Sequence, residues 1–297
     1  MTETRHFDPD ALEDRKKKEI EHTDRRRQVV TGYEYFTDAS QGSEEVGYIA
    51  NEEEYYYNFA NAKYYSISRS SFAYRDSILY SNIDNKVALD YCCGSGEISL
   101  AMAKHGAKHV HGIDISKVAA ENATSLAKEA GIEDRCTFEV MDAENLKYSD
   151  NTFDVIHEYG ALHHLDLEAA LRETSRVLKP GGRFICTEAL RHNPIIHWYR
   201  SKTTPGKIWM GREVYLRTQY EFEHILGVPD IMLGKKYFES VNIRFFHLCA
   251  LAAVPFRKFF LFSPLLSLLE IIDNVILKIP YLQRMAWVCV IEYKNPR

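Results

Sequence analysis

Between Val87 and Ala189 the sequence alternates short apolar runs with amphipathic ones, and no other feature narrows the fold so far. VALDYC, HVHGIDI, CTFEVMD, FDVIHEYG and GRFICTEAL are of strand length and rich in β-branched and aromatic residues. Among them stand EISLAMAKHG, KVAAENATSLAKEAG and LEAALRETSRVL, with apolar residues at helical spacing. Parallel strands need long crossovers, so this rhythm predicts a parallel sheet with helices on both faces. Two later runs, SVNIRFFHL and AWVCVIEYK, read as further strands. Sheets of this kind bind ligands at the carboxyl ends of their strands.

Chemistry-bearing residues gather at those ends. Gly94 and Gly96 lie between the first strand and its helix, where glycines let a ligand approach the backbone and helix-terminal amides. A nicotinamide cofactor would ask for a third glycine, and Gly94-Ser95-Gly96-Glu97-Ile98-Ser99 lacks it. Asp90, Asp114 and Asp142 end three successive strands. One such acid is an ordinary turn residue; three in the same place point to a nucleoside, whose ribose hydroxyls and adenine amino group need acceptors.

On these residues the chain resembles the class I S-adenosylmethionine-dependent methyltransferases. The matching stretches are VALDYCCGSG (87–96), GIDIS (112–116), VMDAENL (140–146), FDVIHEYGALHHL (153–165) and RVLKPGGRF (176–184). The resemblance implies an α/β fold: a Rossmann-like, mostly parallel seven-stranded sheet with helices on both faces, an N-terminal helical cap and helical insertions near the C-terminus. It implies that Asp90, Gly94, Ser95 and Gly96 hold the methionine part of the cofactor, Asp114 and Ile115 the ribose, and Asp142 and Ala143 the adenine. Glu158 is then expected near the amino group and the methyl. His163 and His192 are the candidate bases, although a histidine at either place also serves as plain turn structure. The family usually has glycine where Cys92 stands.

Two domains are expected: a charged arm and tyrosine-rich helical cap over 1–74, and the methyltransferase domain over 75–297, with insertions at about 191–240 and 249–284. Residues 1–28 carry eight acidic and eight basic side chains, which reads as a solvated face or a loose arm. Ten of the 19 tyrosines lie between 33 and 80, and part of 50–75 is expected to fold over the cofactor with Tyr64 or Tyr65 at the methyl end. In LLSLLEIIDNVILKIP, Ser267, Glu270, Asp273, Asn274 and Lys278 form one polar stripe on an otherwise apolar helix. Packing of its broad apolar face inside the protein is favoured over an acceptor pocket or a membrane-facing surface.

Composition narrows the function. A net charge of -5 disfavours a nucleic-acid partner. The six cysteines show neither metal-ligand spacing nor a disulfide framework, so no metal is expected. The N-terminal stretch has no apolar core of a secretory signal, and a cytoplasmic location is expected. The reading is an enzyme that uses S-adenosylmethionine, releases S-adenosylhomocysteine and methylates a small-molecule acceptor, with an apolar or lipid-like acceptor and peripheral membrane contact left open and the oligomeric state unset. The alternative is a cofactor-binding regulator without catalysis.

Overall fold

The computed structural model describes residues 13–29, 36–38, 43–45, 66–193 and 225–297. Its elements are α1 (Asp14–Val29), the hairpin strands β1 (Phe36–Asp38) and β2 (Ser43–Glu45), α2 (Arg69–Leu79), β3 (Val87–Tyr91), α3 (Glu97–Lys104), β4 (His109–Asp114), α4 (Lys117–Glu129), β5 (Cys136–Val140), β6 (Phe153–Tyr159), α5 (Leu167–Val177), β7 (Leu178–Ala189), β8 (Phe238–Phe246), α6 (Phe262–Ile276) and β9 (Val288–Pro296). Helix α2 runs through residues 74 and 75, where the cap and the main domain were divided.

Seven strands form one sheet in the order β5-β4-β3-β6-β7-β9-β8. The first five are parallel, and β9 pairs antiparallel with both β7 and β8. The chain starts in the middle and winds outward both ways, so the strand order reverses between β3 and β6. That reversal opens a crevice at the carboxyl edge.

Strand alternation divides the core between two faces. Ala88, Val155, Ile185 and Val290 pack with Leu79 of α2, Met102 of α3 and Ala127 of α4. Leu89, Tyr91, Ile156, Phe184 and Ile291 pack on the opposite face with Leu171 and Val177 of α5. Helix caps follow the local chemistry: Ser116 Oγ accepts the Ala119 N–H, and Asp166 Oδ1 accepts the Ala169 N–H.

Because β9 is antiparallel, its start lies at the carboxyl edge: Val288 pairs with Ala189 on one side and with Phe246 on the other. The whole excursion from β8 to β9, including α6, therefore leaves and re-enters the sheet on the edge that carries the crevice. No helix among the described residues is long and apolar enough to cross a membrane.

Candidate active site

After β3 the chain turns through Cys92 (φ 61°), Gly94 (φ 56°) and Gly96 (φ 86°) into α3. Glycine takes the left-handed region without steric cost; a residue with a Cβ does not. The substituted position, Cys92, is thus a strained one. A side chain at Gly96 would also collide with α4, its Cβ lying 2.8 Å from that of Ala123.

Asp114 clamps this loop to the next one. Its Oδ2 accepts the Gly94 N–H at 3.0 Å and its Oδ1 the Ser116 N–H at 2.9 Å. Burial raises its pKa, and the two amides and Arg27 offset only part of that. Ile115 is half-buried beside it. Asp142, just past β5, accepts the Glu144 N–H on Oδ1 at 3.0 Å. Ala143 is buried, and its carbonyl accepts the Tyr91 hydroxyl at 2.6 Å. Asp90 is buried too, with both oxygens occupied inside: Ser99 Oγ donates to Oδ2 at 2.6 Å, and His157 Nδ1 lies 2.9 Å from Oδ1. It braces β3 against α3 and β6.

Helix α1 lies across these ends. Arg15 donates to Glu144 Oε1 at 2.6 Å and to the His164 carbonyl at 2.5 Å. Lys16 sits 2.8 Å from both Asp142 Oδ2 and Glu144 Oε2. Ser116 Oγ donates to Asp24 Oδ1 at 2.5 Å, and Glu19 Oε2 is 3.2 Å from His164 Nδ1. Arg27 covers Gly94 and donates to the buried Ser95 Oγ at 3.2 Å. The expected solvated face is therefore corrected: charges on α1 meet complementary charges at the edge, and apolar periodicity carries no sign of that.

On the face opposite Asp90, the ends of β6 and β7 bring two buried carboxyls together. Glu158 Oε1 accepts the Ala161 and Leu162 N–H groups, while its Oε2 is buried without a hydrogen-bond partner. Glu188 Oε1 accepts the Leu162 N–H at 2.7 Å, and Oε2 lies 2.8 Å from His163 Nδ1. Burial, then the neighbouring Glu188 charge, pushes the Glu158 pKa well up. Burial acts upward on Glu188 as well, but His163, the Glu158 hydrogen bond and His164 together outweigh it and the net shift is down. Glu158 is thus the protonated partner and Glu188 the ionised one. Being ionised, Glu188 only accepts, so His163 Nδ1 carries a hydrogen toward it.

Glu188 escaped the sequence reading because it sits inside an apolar strand. Its signal was positional: it ends the fifth strand as Glu158 ends the fourth. His192 lies beyond β7 against Gly227, and burial followed by Arg191 and Arg284 lowers its pKa. Tyr64 and Tyr65 fall outside the described residues. The described cysteines are free, and burial raises the pKa of Cys92, Cys93, Cys186 and Cys289 well above the usual thiol value.

Comparison with known proteins identifies relatives of this chain and of its fold. A methyltransferase-domain family model matches residues 88–182. Demethylmenaquinone methyltransferase of Lactiplantibacillus plantarum is 30% identical over 182 residues, covering 57% of this chain and 77% of that protein. A 27-O-demethylrifamycin SV methyltransferase of Amycolatopsis mediterranei is 43% identical over 96 residues, 32% of this chain and 35% of the relative's length. The crystal structure of geranyl diphosphate C-methyltransferase from Streptomyces coelicolor, solved with Mg2+, geranyl diphosphate and S-adenosyl-L-homocysteine, aligns over 96% of this chain and 99% of that one. The TM-score is 0.57 at 15% identity, a likeness of fold.

Proposed function

The chain belongs to the class I S-adenosylmethionine-dependent methyltransferases, with S-adenosylmethionine as cofactor, and on that premise we propose that it methylates a small apolar acceptor using His163 as base. The observation that carries this reading is the His163–Glu188 pair beside the protonated Glu158, on adjacent strands at the crevice edge.

The residues at the edge fit the cofactor. The left-handed turn at Gly94 and Gly96 brings the loop close under Arg27, which supplies a cation there for a carboxylate. Asp114 and Asp142 keep acceptor capacity beyond their present bonds, since each carboxylate oxygen accepts more than one hydrogen bond. Glu158 lies buried beside Glu188 at the same edge, and the ionised Glu188 is the carboxylate of the pair that would face a cationic group. Asp90 contributes by bracing the loop from beneath.

When bound, S-adenosylmethionine supplies an electrophilic methyl group whose bond to sulfur breaks in line as the new bond forms. Arg27, Asp114, Asp142 and Glu158 fix where that methyl stands. Positioning of this kind is worth up to ~7–11 kcal/mol of the barrier. Helix α1, anchored across the edge, excludes water from the cofactor side. His163 Nε2 takes the proton from the acceptor, and ionised Glu188 holds the ring and steadies the imidazolium that results. General base help of this sort contributes ~10²–10⁴-fold.

The apolar acceptor is supported by the relatives: one is named for demethylmenaquinone and another was solved with geranyl diphosphate, both molecules with long apolar parts. The test is an assay with labelled-methyl cofactor against detergent-dispersed quinol and isoprenoid extracts, with products identified by mass. Label in an apolar product supports the reading. Label only in polar metabolites contradicts the acceptor class, and recovery of all the label in unreacted cofactor contradicts the activity.

A further inference from the structure

One apolar face of α6 packs inward as expected, with Leu266 and Leu277 buried and Leu265, Leu269 and Ile276 packed against the core, but a second apolar face stays outside. Of the polar stripe, Glu270 and Asp273 turn inward, while Ser267, Asn274 and Lys278 are exposed. Arg69 binds Ser267 at 2.7 Å and Glu270 at 2.6 Å, and the buried Asp273 accepts the N–H groups of Leu248, Cys249 and Ala250. The second apolar face meets water: Leu268, Ile271, Ile272 and Val275, at spacings of three, one and three, are exposed. Among the described residues every exposed large apolar side chain except Tyr159 lies between Phe256 and Tyr281, with Phe260 88% and Tyr281 83% exposed. A patch of this kind on a soluble surface marks an interaction site.

Its charges are of one sign. The exposed ionisable groups over 256–284 are Lys258, Lys278 and Arg284, with Arg257 half-buried. The two acids in the same span, Glu270 and Asp273, are turned inward and engaged. This basic rim belongs to a chain of net charge -5. Apolar side chains whose exposed charged neighbours within 256–284 are cations match an anionic lipid surface, where the rings and branched chains enter the acyl boundary and the cations meet headgroups. A second copy of this chain would set the rims against each other, cation to cation.

We propose that the 256–284 face docks the enzyme on anionic membranes. The excursion is mounted on the carboxyl edge of the sheet, so docking turns the crevice toward the bilayer, where an apolar acceptor resides. This deepens the proposed methyl transfer and rests on it only for the direction of delivery, because docking is read without cofactor or acceptor.

The experiment is sedimentation of the full chain with vesicles of phosphatidylcholine alone or mixed with phosphatidylglycerol, beside sedimentation velocity without lipid. Binding is expected with the anionic mixture, weakening as salt rises. Lys258→Gln and Lys278→Gln should each lower the partition about fivefold. Ile271→Glu with Val275→Glu should abolish it with an unchanged melting curve, since both side chains are exposed and contribute little to the core. Equal binding to neutral vesicles, absence of binding to either, or self-association abolished by the same double variant would each overturn the proposal. Methyl transfer to dispersed acceptor without docking would remove docking alone; docking without methyl transfer would remove the activity alone.

Discussion

Lys16 Nζ stands 2.8 Å from Asp142 Oδ2 and 2.8 Å from Glu144 Oε2, so one cation between two acids ties the N-terminal helix to the crevice edge. Burial works against the charged Lys16, yet the two carboxylates carry its pKa upward; burial works against charged Glu144, yet Lys16 and Arg15 carry its pKa down. The Lys16 contribution is therefore complete below the ordinary lysine pKa and is lost as pH rises through the raised one. The Glu144 contribution is complete above the ordinary carboxylate pKa and is lost as pH falls through the depressed one. Lys16→Ala should cost roughly 1–2 kcal/mol at neutral pH, read from urea melts, and the loss should vanish in acid. Equal stability of variant and wild type at pH 7 would mean that α1 is not docked.

Removing residues 1–29 should weaken cofactor binding about tenfold or more, because Arg27 and the wall over Ser95, Ser116 and Asp142 go with it. Calorimetry on the truncated and full chains checks this. Unchanged affinity would return α1 to the role of a solvated arm.

Glu188→Gln should lower kcat by about a hundredfold or more with little change in KM, since the amide no longer fixes the His163 tautomer or balances its charge. The pH profile should lose its acidic limb or shift it. A kcat within a few-fold of wild type would exclude His163 as an oriented base.

Glu158 carries the opposite sign. Its folded pKa is raised, so the folded state holds more protons than the unfolded one between the ordinary carboxylate value and the raised value, and stability falls as pH climbs through that window. Glu158→Gln removes the titration. It should melt higher than wild type near neutral pH, with a flatter pH dependence. A variant with the wild-type slope would place the titration elsewhere.

Cys92, at φ 61°, gives a backbone test. Left-handed geometry costs a residue with a Cβ about 1–3 kcal/mol, and a β-branched one more. Cys92→Gly should be neutral or stabilising, and Cys92→Val should melt clearly lower. The reverse order would show that side-chain packing, not backbone strain, governs the position.

What the sequence disclosed is what local pattern encodes. The strands, their helices and the Gly94–Gly96 turn follow from periodicity and glycine placement within short windows, and Asp114 and Asp142 follow from strand ends. Helix α1 was illegible because its partners, Asp142, Glu144 and Ser95, lie far along the chain and its own charges balance. Periodicity also grouped Ser267, Glu270, Asp273 and Asn274 on one stripe of α6 without showing that Glu270 and Asp273 would turn inward while the others stay exposed; Arg69 and the amides of 248–250 decide that. Glu188 was hidden by the apolar strand around it.

The most direct measurement is a calorimetric titration of S-adenosylhomocysteine into wild type and into Asp114→Ala, each shown by its melt to be folded. Asp114 anchors the Gly94 and Ser116 amides at the crevice and is assigned the ribose hydroxyls. Micromolar binding by wild type and a loss of about tenfold or more in the variant are expected. No heat with wild type, or full affinity in the folded variant, would contradict the placement of the cofactor at this edge.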